Sequence, residues 1–426
     1  MRYLSMLVFG LLIALNASAQ NGTVSPYSFI GLGEVAQSKS VEEIQMGGIG
    51  VAYSDGTHVG LSNPATYSYM SLTGFSVGAA SKNYYLDQNG EKASGSVTSV
   101  SYLNFSVPLG RRGGMVLGLM PASNVGYSLV SFEEDAEGVP IESDLYRGSG
   151  ATNRVFWGTG YELFKGFSLG AEIEYVFGNI EHSILNQRRD VQYATKFYTE
   201  SNVYGLRGKL GMLYQADFEK HYLSFGAQVS LAADARFYGD QYFYPVNLNQ
   251  SEDLPKGDDT PTSVNGNIEY PISTALGLGY GKRNHWYVEG DYNFKGAPIQ
   301  SGEAFQNGEK FNYENYNKYS LGGYFIPKYN SISSYWARAT YRIGFKYEQT
   351  GLLIDGDANG TLSEVQDFGM AFGVGLPLRN PGSKLNIGVD FGRRGNTNSD
   401  LLKENYLNIR MSVALLDKWF IKRQYN

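Results

Sequence analysis

The sequence predicts an all-β protein, a transmembrane antiparallel β-barrel of about fourteen strands with an N-terminal plug segment. Three observations lead to this fold class. Segments of alternating apolar and polar residues recur from residue 74 onward, the connections between them are long and short in turn, and an export signal stands at the N-terminus. Glycine (53 residues) and aromatic side chains (14%) are abundant, as is typical of strands and turns.

Residues 1–19 have the pattern of a secretory signal peptide. Arg2 precedes an apolar run over residues 4–15, and Ala17-Ser18-Ala19 is a small-residue cleavage site, so the mature chain is expected to begin near Gln20. No later window reaches the roughly 20 apolar residues of a membrane-spanning helix. The exported chain is therefore either a soluble all-β protein or a closed membrane barrel. Besides the α-helix, a closed barrel is the structure that satisfies every backbone hydrogen bond inside a membrane.

The stretch SKLNIGVDFG, residues 383–392, shows the strand pattern. Its apolar residues Leu385, Ile387 and Val389 alternate with polar or small residues, among them Asn386 and Asp390. In a barrel the first set would face lipid and the second set would face the lumen. Fourteen such segments, each near the 9–11 residues of a membrane strand, begin close to residues 74, 101, 113, 154, 166, 203, 221, 272, 285, 319, 335, 367, 384 and 406.

The connections distinguish a barrel from a soluble sandwich. LDQNGEKASG is long, PLGRRGG is tight, SFEEDAEGVPIESD is long and ELFKGF is tight, and this alternation continues along the chain. A sandwich gives no reason for it, whereas an outer-membrane barrel has short periplasmic turns and long outer loops. We therefore expect residues 74–426 to form a multi-pass barrel in a Gram-negative outer membrane, with both termini in the periplasm.

Charged residues of both signs stand at the inward positions of the predicted strands. Glu172 and Glu174 on one strand are expected to pair with Arg207 and Lys209 on the next. The other lumen charges predicted are Arg338, Arg342, Asp390 and Arg410, with the last two near each other. Such charges usually stabilise a barrel interior or hold a plug, and a lining of mixed sign argues against a wide ion-selective pore.

Residues 20–73 do not follow the strand rhythm and are predicted to fold inside the lumen as a hatch. Ser40 followed by Glu43 has the spacing of a capping box, which would open a short helix. Glycines permit tight turns, and Asn-Pro is a turn dipeptide. The hatch residues singled out are Gly47, Gly48, Gly50, Asn63, Pro64 and Ala65.

The stretch MGGIGVAYSDGTHVGLSNPA, residues 46–65, resembles the N-terminal hatch of the FadL-type family of outer-membrane proteins, which includes long-chain fatty acid transporters. Asn63-Pro64-Ala65, just before the first strand, carries most of the likeness. That family has fourteen strands and a plug. The C-terminal stretch ENYLNIRMSVALLDKWFIKRQYN resembles the terminal strand and tail of Bacteroidota members. No residue can be matched to a substrate pocket of the family.

The resemblance implies uptake of hydrophobic small molecules through the hatch-plugged barrel, and this is the function that the sequence favours. The alternative is a non-conducting accessory subunit of an outer-membrane protein secretion or barrel-assembly complex. A charged lumen fits this role better than an apolar tunnel would. The expected partners are outer-membrane lipid, a hydrophobic small-molecule ligand and other outer-membrane proteins.

Catalysis, cofactors and nucleic acid are not predicted. The four histidines are scattered, cysteine is absent, and the net charge is −6. Asp355, Asp357, Asn359 and Gly360 match the first half of a calcium loop, but Gln366 replaces its bidentate Glu. The sequence therefore predicts no metal site, with Asp355, Asp357 and Asn359 as an incomplete candidate.

Overall fold

A computed structural model describes residues 22–88, 90–247, 261–302, 311–355, 361–380, 382–395 and 401–419. The predicted signal peptide and the end of the C-terminal tail lie outside the described residues. Strands dominate this part of the chain, with one short α-helix and three 3-10 helices. None of the described helices is long and apolar enough to cross a membrane.

Nineteen antiparallel strand segments make up one sheet. They are β1 (Glu34–Val35), β2 (Thr73–Gln88), β3 (Glu91–Leu109), β4 (Gly113–Glu134), β5 (Pro140–Phe164), β6 (Phe167–Arg188), β7 (Ala194–Phe218), β8 (His221–Ser230), β9 (Ala233–Val246), β10 (Thr262–Tyr270), β11 (Ser273–Lys282), β12 (Trp286–Lys295), β13 (Ile299–Gly302), β14 (Phe311–Tyr313), β15 (Tyr316–Phe325), β16 (Thr340–Asp355), β17 (Leu362–Pro377), β18 (Lys384–Arg394) and β19 (Lys403–Asp417).

These segments form a closed barrel of fourteen strands. β8 and β9 are two halves of one barrel strand, because both pair with β7, and β10–β11, β12–β13 and β14–β15 are further strands with a short interruption. β19 pairs with β2 over fifteen residue pairs, from Lys403 opposite Asp87 to Asp417 opposite Thr73, and so closes the barrel. The predicted fold class is confirmed, and each of the fourteen predicted segments overlaps a different barrel strand.

The strand opened by SKLNIGVDFG shows how the two faces differ. On β18, Val389 and Phe391 are 36% and 39% exposed, whereas Asn386 and Asp390 are 0% and 8% exposed. The outer face is apolar and the inner face is polar, which is the arrangement of a barrel that faces lipid outside and its own contents inside.

Many strands are longer than the sequence indicated. β5 and β7 each have 25 residues, and most of the stretch read as the long loop SFEEDAEGVPIESD continues β4 and β5 as a hairpin. The expectation of 9–11 residues described the lipid-facing part only. Beyond it the chains keep pairing because polar cross-strand contacts hold them together, such as that of Arg188 Nε with Glu142 Oε2 at 2.8 Å.

The opposite end of the barrel has tight turns. Gly110 and Gly166 have φ values of 74° and 81°, which favour glycine. One connection at this end is longer: residues 326–339 between β15 and β16 include the 3-10 helix Trp336–Arg338. At the other end the expected long loops are partly strand: β2 ends at Gln88 and β3 begins at Glu91, and five residues separate β4 from β5, so the alternation of long and short segments in the sequence reflects extended hairpins as well as loops.

Residues 22–72, here called the plug, lie inside the barrel. They include the 3-10 helix Pro26–Phe29, strand β1, helix α1 (Val41–Gln45) and the 3-10 helix Pro64–Tyr69. The capping box is formed: Glu43 N donates to Ser40 Oγ at 3.1 Å, and Ser40 N donates to Glu43 Oε2 at 2.7 Å. Met46, Ile49 and Tyr67 are fully buried, so the plug and the lumen wall share one packed interior.

Candidate functional site

Glycines on the inner face of the barrel bring the plug against the backbone of the wall. A Cβ added at Gly344 would overlap the carbonyl of Met46, and one added at Gly226 would overlap the carbonyl of Val51. A Cβ would likewise meet plug backbone at Gly114, Gly160, Gly170 and Gly322, and plug side chains at Gly211, Gly373 and Gly388. These glycines lie within the alternating segments of the sequence, but that pattern did not predict that the plug packs against them.

Two acidic residues of β12 hold the glycine-rich turn of the plug. Glu289 Oε1 accepts hydrogen bonds from Gly50 N at 3.3 Å and from Ala52 N at 2.8 Å. Asp291 Oδ2 accepts from Gly50 N at 3.0 Å and from Val51 N at 3.3 Å. Both carboxyl groups are buried, and the four hydrogen bonds that they accept from backbone N–H groups attach the plug firmly to the wall.

Gly47 and Gly48 end helix α1. Their φ values are 75° and 82°, and their N–H groups donate to Ile44 O at 3.0 Å and to Glu43 O at 2.8 Å. The left-handed backbone at these positions favours glycine, as at many helix C-termini. These predicted hatch residues therefore shape the turn that carries the N–H groups of residues 50–52 to β12.

The Asn63-Pro64-Ala65 motif closes a turn and attaches it to β7. Asn63 Oδ1 accepts from Ala65 N at 3.0 Å, which caps the 3-10 helix that Pro64 begins. Asn63 Nδ2 donates to Val51 O at 2.7 Å and to Met212 O at 3.0 Å. The motif thus has a defined structural role within the plug and at the wall.

Ionic side chains of β5, β6 and β7 form a buried cluster beside the plug. Lys209 Nζ lies 2.7 Å from Glu172 Oε1 and 3.1 Å from Glu174 Oε1. Arg154 also pairs with Glu174, and the hydroxyl of Tyr67 in the plug donates to Glu172 Oε2 at 2.7 Å. The cluster connects three strands of the wall to the plug.

Arg207 has a different partner from the one expected. It stands opposite Glu174 in the β6–β7 register, yet its guanidinium lies over the ring of Tyr270 at 4.3 Å. Lys295 Nζ lies over the same ring at 4.8 Å. Arg154 of β5 pairs with the Glu174 carboxylate instead. Arg154 was not predicted as its partner, because β5 is the other neighbour of β6 and the prediction considered β7 alone.

Two further sets of predicted lumen charges lie together on the other side of the barrel. Arg342 Nη1 donates to Gln45 Oε1 of the plug and to Asn386 Oδ1, each at 2.9 Å. Asp390 and Arg410 form a buried ion pair. Together with the acidic pair on β12, the contact of Arg342 with Gln45 places polar attachments on more than one side of the plug, whereas Asp390 and Arg410 pair with each other within the wall.

Two predictions are placed elsewhere. Arg338 does not line the lumen: it is exposed in the 3-10 helix before β16 and packs on Tyr335, because the regular strand begins only at Thr340. Asp355 ends β16, whereas Asp357 and Asn359 lie outside the described residues. Within the described ranges, no group of three or more potential ligands could hold a metal ion.

Two plug carboxylates are fixed by cations of the wall. Burial raises the pKa of Glu34, but Lys82 and Arg394 outweigh it and lower that pKa to about 2. Arg394 Nη2 lies 3.2 Å from Glu34 Oε1. Burial likewise raises the pKa of Asp55, but Lys384, at 3.6 Å, and hydrogen bonds within the plug hold it well below its usual range.

Two adjoining cavities remain between the plug and the wall. One of about 360 Å³ and one of about 220 Å³ share the side chains of Lys39, Gln228, Tyr270 and Lys295. The larger cavity is also lined by apolar residues, namely Ile30, Leu32, Val35, Ile268, Leu352 and Val365. Its size lies within the range of small-molecule sites.

Solved structures share this architecture. The Pseudomonas putida toluene transporter TodX matches with a TM-score of 0.60 and 16% identity, over 90% of this chain and 99% of that chain. The CymD monoaromatic hydrocarbon channel matches with 0.54 and 15%, over 91% and 99%. A Pseudomonas aeruginosa FadL homologue matches with 0.57 and 10%, over 90% and 98%.

At these identities the likeness is one of fold: this chain and these channels share the architecture of the barrel. No curated protein matches the sequence. The BamG family model matches residues 1–426. Because the match extends over the whole sequence, the chain belongs to the BamG family.

Proposed function

We propose that this protein is a non-conducting accessory subunit of an outer-membrane barrel-assembly complex, in which the plugged barrel binds other outer-membrane proteins. Membership of the BamG family favours the assembly role. The solved structures compared above are described as channels or transporters or as a FadL homologue, which favours a role without catalysis. In this proposal both termini and the tight turns lie in the periplasm.

The observation that carries the proposal is the attachment of the plug. Buried polar contacts reach it from β6 through Glu172, from β12 through Glu289 and Asp291, from β16 through Arg342 and from β18 through Asn386. Moving the plug would leave these groups unpaired, at about 1–3 kcal/mol for each neutral group and more for each charged one. A plug held in this way serves as a permanent core of the barrel.

Uptake of a hydrophobic small molecule is the second candidate. The cavity of about 360 Å³ beside the plug and the fold shared with hydrocarbon channels favour it. Identities of 15–16% indicate a shared fold, but they do not indicate that this chain binds the ligands of those channels. Transport is the weaker candidate, because the buried polar contacts described above hold the plug inside the lumen.

Native mass spectrometry of the protein, extracted gently from its own outer membrane, tests the proposal. We expect a stoichiometric complex with other outer-membrane proteins and no hydrophobic adduct. A lone barrel that carries a stoichiometric hydrophobic adduct would overturn the accessory role and establish the transport role, and the mass of the adduct would identify the ligand class.

A further inference from the structure

The barrel wall is split between β3 and β4. These strands pair only from Leu103 opposite Leu119 to Leu109 opposite Gly113, which is seven residue pairs. Above this point residues 91–102 of β3 continue to pair with β2, and residues 120–134 of β4 continue to pair with β5. Two strand edges therefore face each other without pairing.

The split arises because β4 bends inward. Its register with β5 shifts between Pro121 and Ser123, and five successive residues, 123–127, are buried where strand alternation would bury every second one. Proline lacks the N–H that a wall pair would need, and a bulge of this kind bends its strand. β4 thereby leaves the wall and approaches the plug.

The plug uses part of the β4 edge. Strand β1 pairs with it at Glu34 opposite Asn124 and at Val35 opposite Ser123, and Ala36 N donates to Ala122 O at 3.0 Å. Val35 is 64% exposed and lines two of the cavities beside the plug, those of about 360 and about 100 Å³. The edge of β4 is thus partly satisfied from inside the barrel.

The edge of β3 has no such neighbour. In the part of the chain that the structure describes, residues 91–102 pair with β2 alone. A cavity of about 100 Å³ opens beside Ser99, Val100 and Ser101. Lipid tails cannot accept or donate hydrogen bonds, so unpaired backbone groups in a membrane wall require a polar partner.

The side chains on the edge of β3 would not prevent another strand from pairing with it. Residues 96–100 read SVTSV, with no charged residue and no proline, and the bulge at Ser101 lies below them. Soluble and membrane proteins usually protect a free edge with lysine, proline or a bulge within it. The pairing of β1 with β4 shows that the facing edge, that of β4, takes an antiparallel strand from inside the barrel.

We infer that the free edge of β3, residues 96–100, is the docking site for a β-strand of another outer-membrane protein. The strand enters the split from the side of the barrel and extends the β2–β3 sheet by main-chain hydrogen bonds. This inference rests on the accessory role proposed above and specifies where the partner binds.

A thiol bridge across the split tests the inference, since the natural chain has no cysteine. Ser99→Cys with Ala122→Cys places thiols on the two edges, and a short bifunctional thiol reagent joins them before assembly. The matched control is Ala79→Cys with Met411→Cys, a directly paired position of β2 and β19 at the same height. Heat-modifiable gel mobility verifies that each variant is folded.

We expect the bridged Ser99–Ala122 variant to be lost from the native complex, and the bridged control and both unbridged variants to remain in it. Retention of the bridged test variant would overturn the docking site while leaving the accessory role intact. Absence of the wild-type protein from any complex would overturn the accessory role itself. Loss of uptake of a labelled long-chain fatty acid, with the complex retained, would assign the split to a small molecule and overturn the inference.

Hydrogen exchange gives a second readout that needs no substitution. The amides of residues 96–100 that face the split should exchange fast in the isolated protein and become protected in the native complex. The paired strand β17 serves as the internal control. Equal exchange of residues 96–100 in the two states would contradict the docking of a strand at this edge.

Discussion

Glu289 holds the plug through one buried carboxylate that accepts two backbone hydrogen bonds. In a Glu289→Gln variant the amide oxygen still accepts from both N–H groups but without the negative charge, and the new NH2 group would face the hydroxyl of Tyr287, which donates to Glu289 Oε2 at 2.7 Å. We expect the attachment of residues 50–52 to weaken by about 1.5–3 kcal/mol, the usual value of hydrogen bonds to a charged group. Hydrogen exchange of the plug amides measures this change.

The matched control is Glu137→Gln, at an exposed turn far from the plug. It should leave exchange of residues 46–56 unchanged. If exchange in Glu289→Gln is as unchanged as in this control, the plug is held by packing alone, and the hydrogen bonds to Glu289 do not fix it inside the barrel.

Gly344 tests the packing of the plug in the same way. A Cβ there would overlap the backbone of Met46, whereas a Cβ at Gly290, also on a barrel strand, has its nearest atoms at 3.9 and 4.0 Å. We expect Gly344→Ala to destabilise the packed plug by about 1–3 kcal/mol through overpacking and Gly290→Ala to have no effect. Limited proteolysis of the plug distinguishes them, and equal protection of both variants would contradict the close approach.

At the scale of elements, strand β1 carries a pH dependence. The pKa of Glu34 in the folded protein is about 2, below its ordinary value of 4.5. The stabilisation is complete above pH 4.5 and is lost as the pH falls toward 2, because the unfolded plug then binds more protons than the folded one. Asp55 has a lowered pKa and acts in the same direction.

We therefore expect the plug to become sensitive to an acid protease between about pH 4.5 and 2, while the barrel keeps its folded gel mobility. A variant with Glu34→Gln has no titrating group in β1 and should show a smaller change over the same range. Loosening that instead increases as the pH rises would contradict the ion pairs with Lys82 and Arg394.

Local signals allowed most elements to be predicted. Alternation located each barrel strand, and the Ser40–Glu43 spacing located helix α1, because both depend on residues close in sequence. The partner of Arg207 and the split between β3 and β4 were missed. Arg154 reaches Glu174 from the other neighbour of β6, and Arg207 lies over Tyr270, so neither partner follows from the β6–β7 pairing alone. The inward bend of β4 brings Asn124 opposite Glu34 of the plug, a contact between residues far apart in sequence.

Arg338 shows the same limit on a smaller scale. Its spacing from Thr340 and Arg342 fitted one strand face, but regular strand structure begins at Thr340. The preceding residues 336–338 form a 3-10 helix stabilised by its own turn hydrogen bonds. Periodicity alone does not locate the point at which a strand begins.

At the scale of the whole molecule, barrel closure and plug are separable. β19 pairs directly with β2, so closure does not use plug residues. Removal of residues 22–72 should leave a folded barrel with a polar, charged lumen that conducts ions in planar bilayers, whereas the full chain stays closed. A folded deletion variant without conductance would show that the wall collapses inward and that the plug does not by itself block the lumen.

The height of the wall differs around the barrel. β4 to β7 have 22 to 25 residues each, whereas β18 has 11 and β19 has 15. Only about 9–11 residues of a tilted strand are needed to cross the hydrocarbon. The paired strands β4 to β7 therefore rise further beyond the lipid headgroups, as a rigid sheet, than the described strands β18 and β19 do. This sheet offers a neighbouring protein a vertical surface on one side only, so the molecule has a fixed front and back within the plane of the membrane.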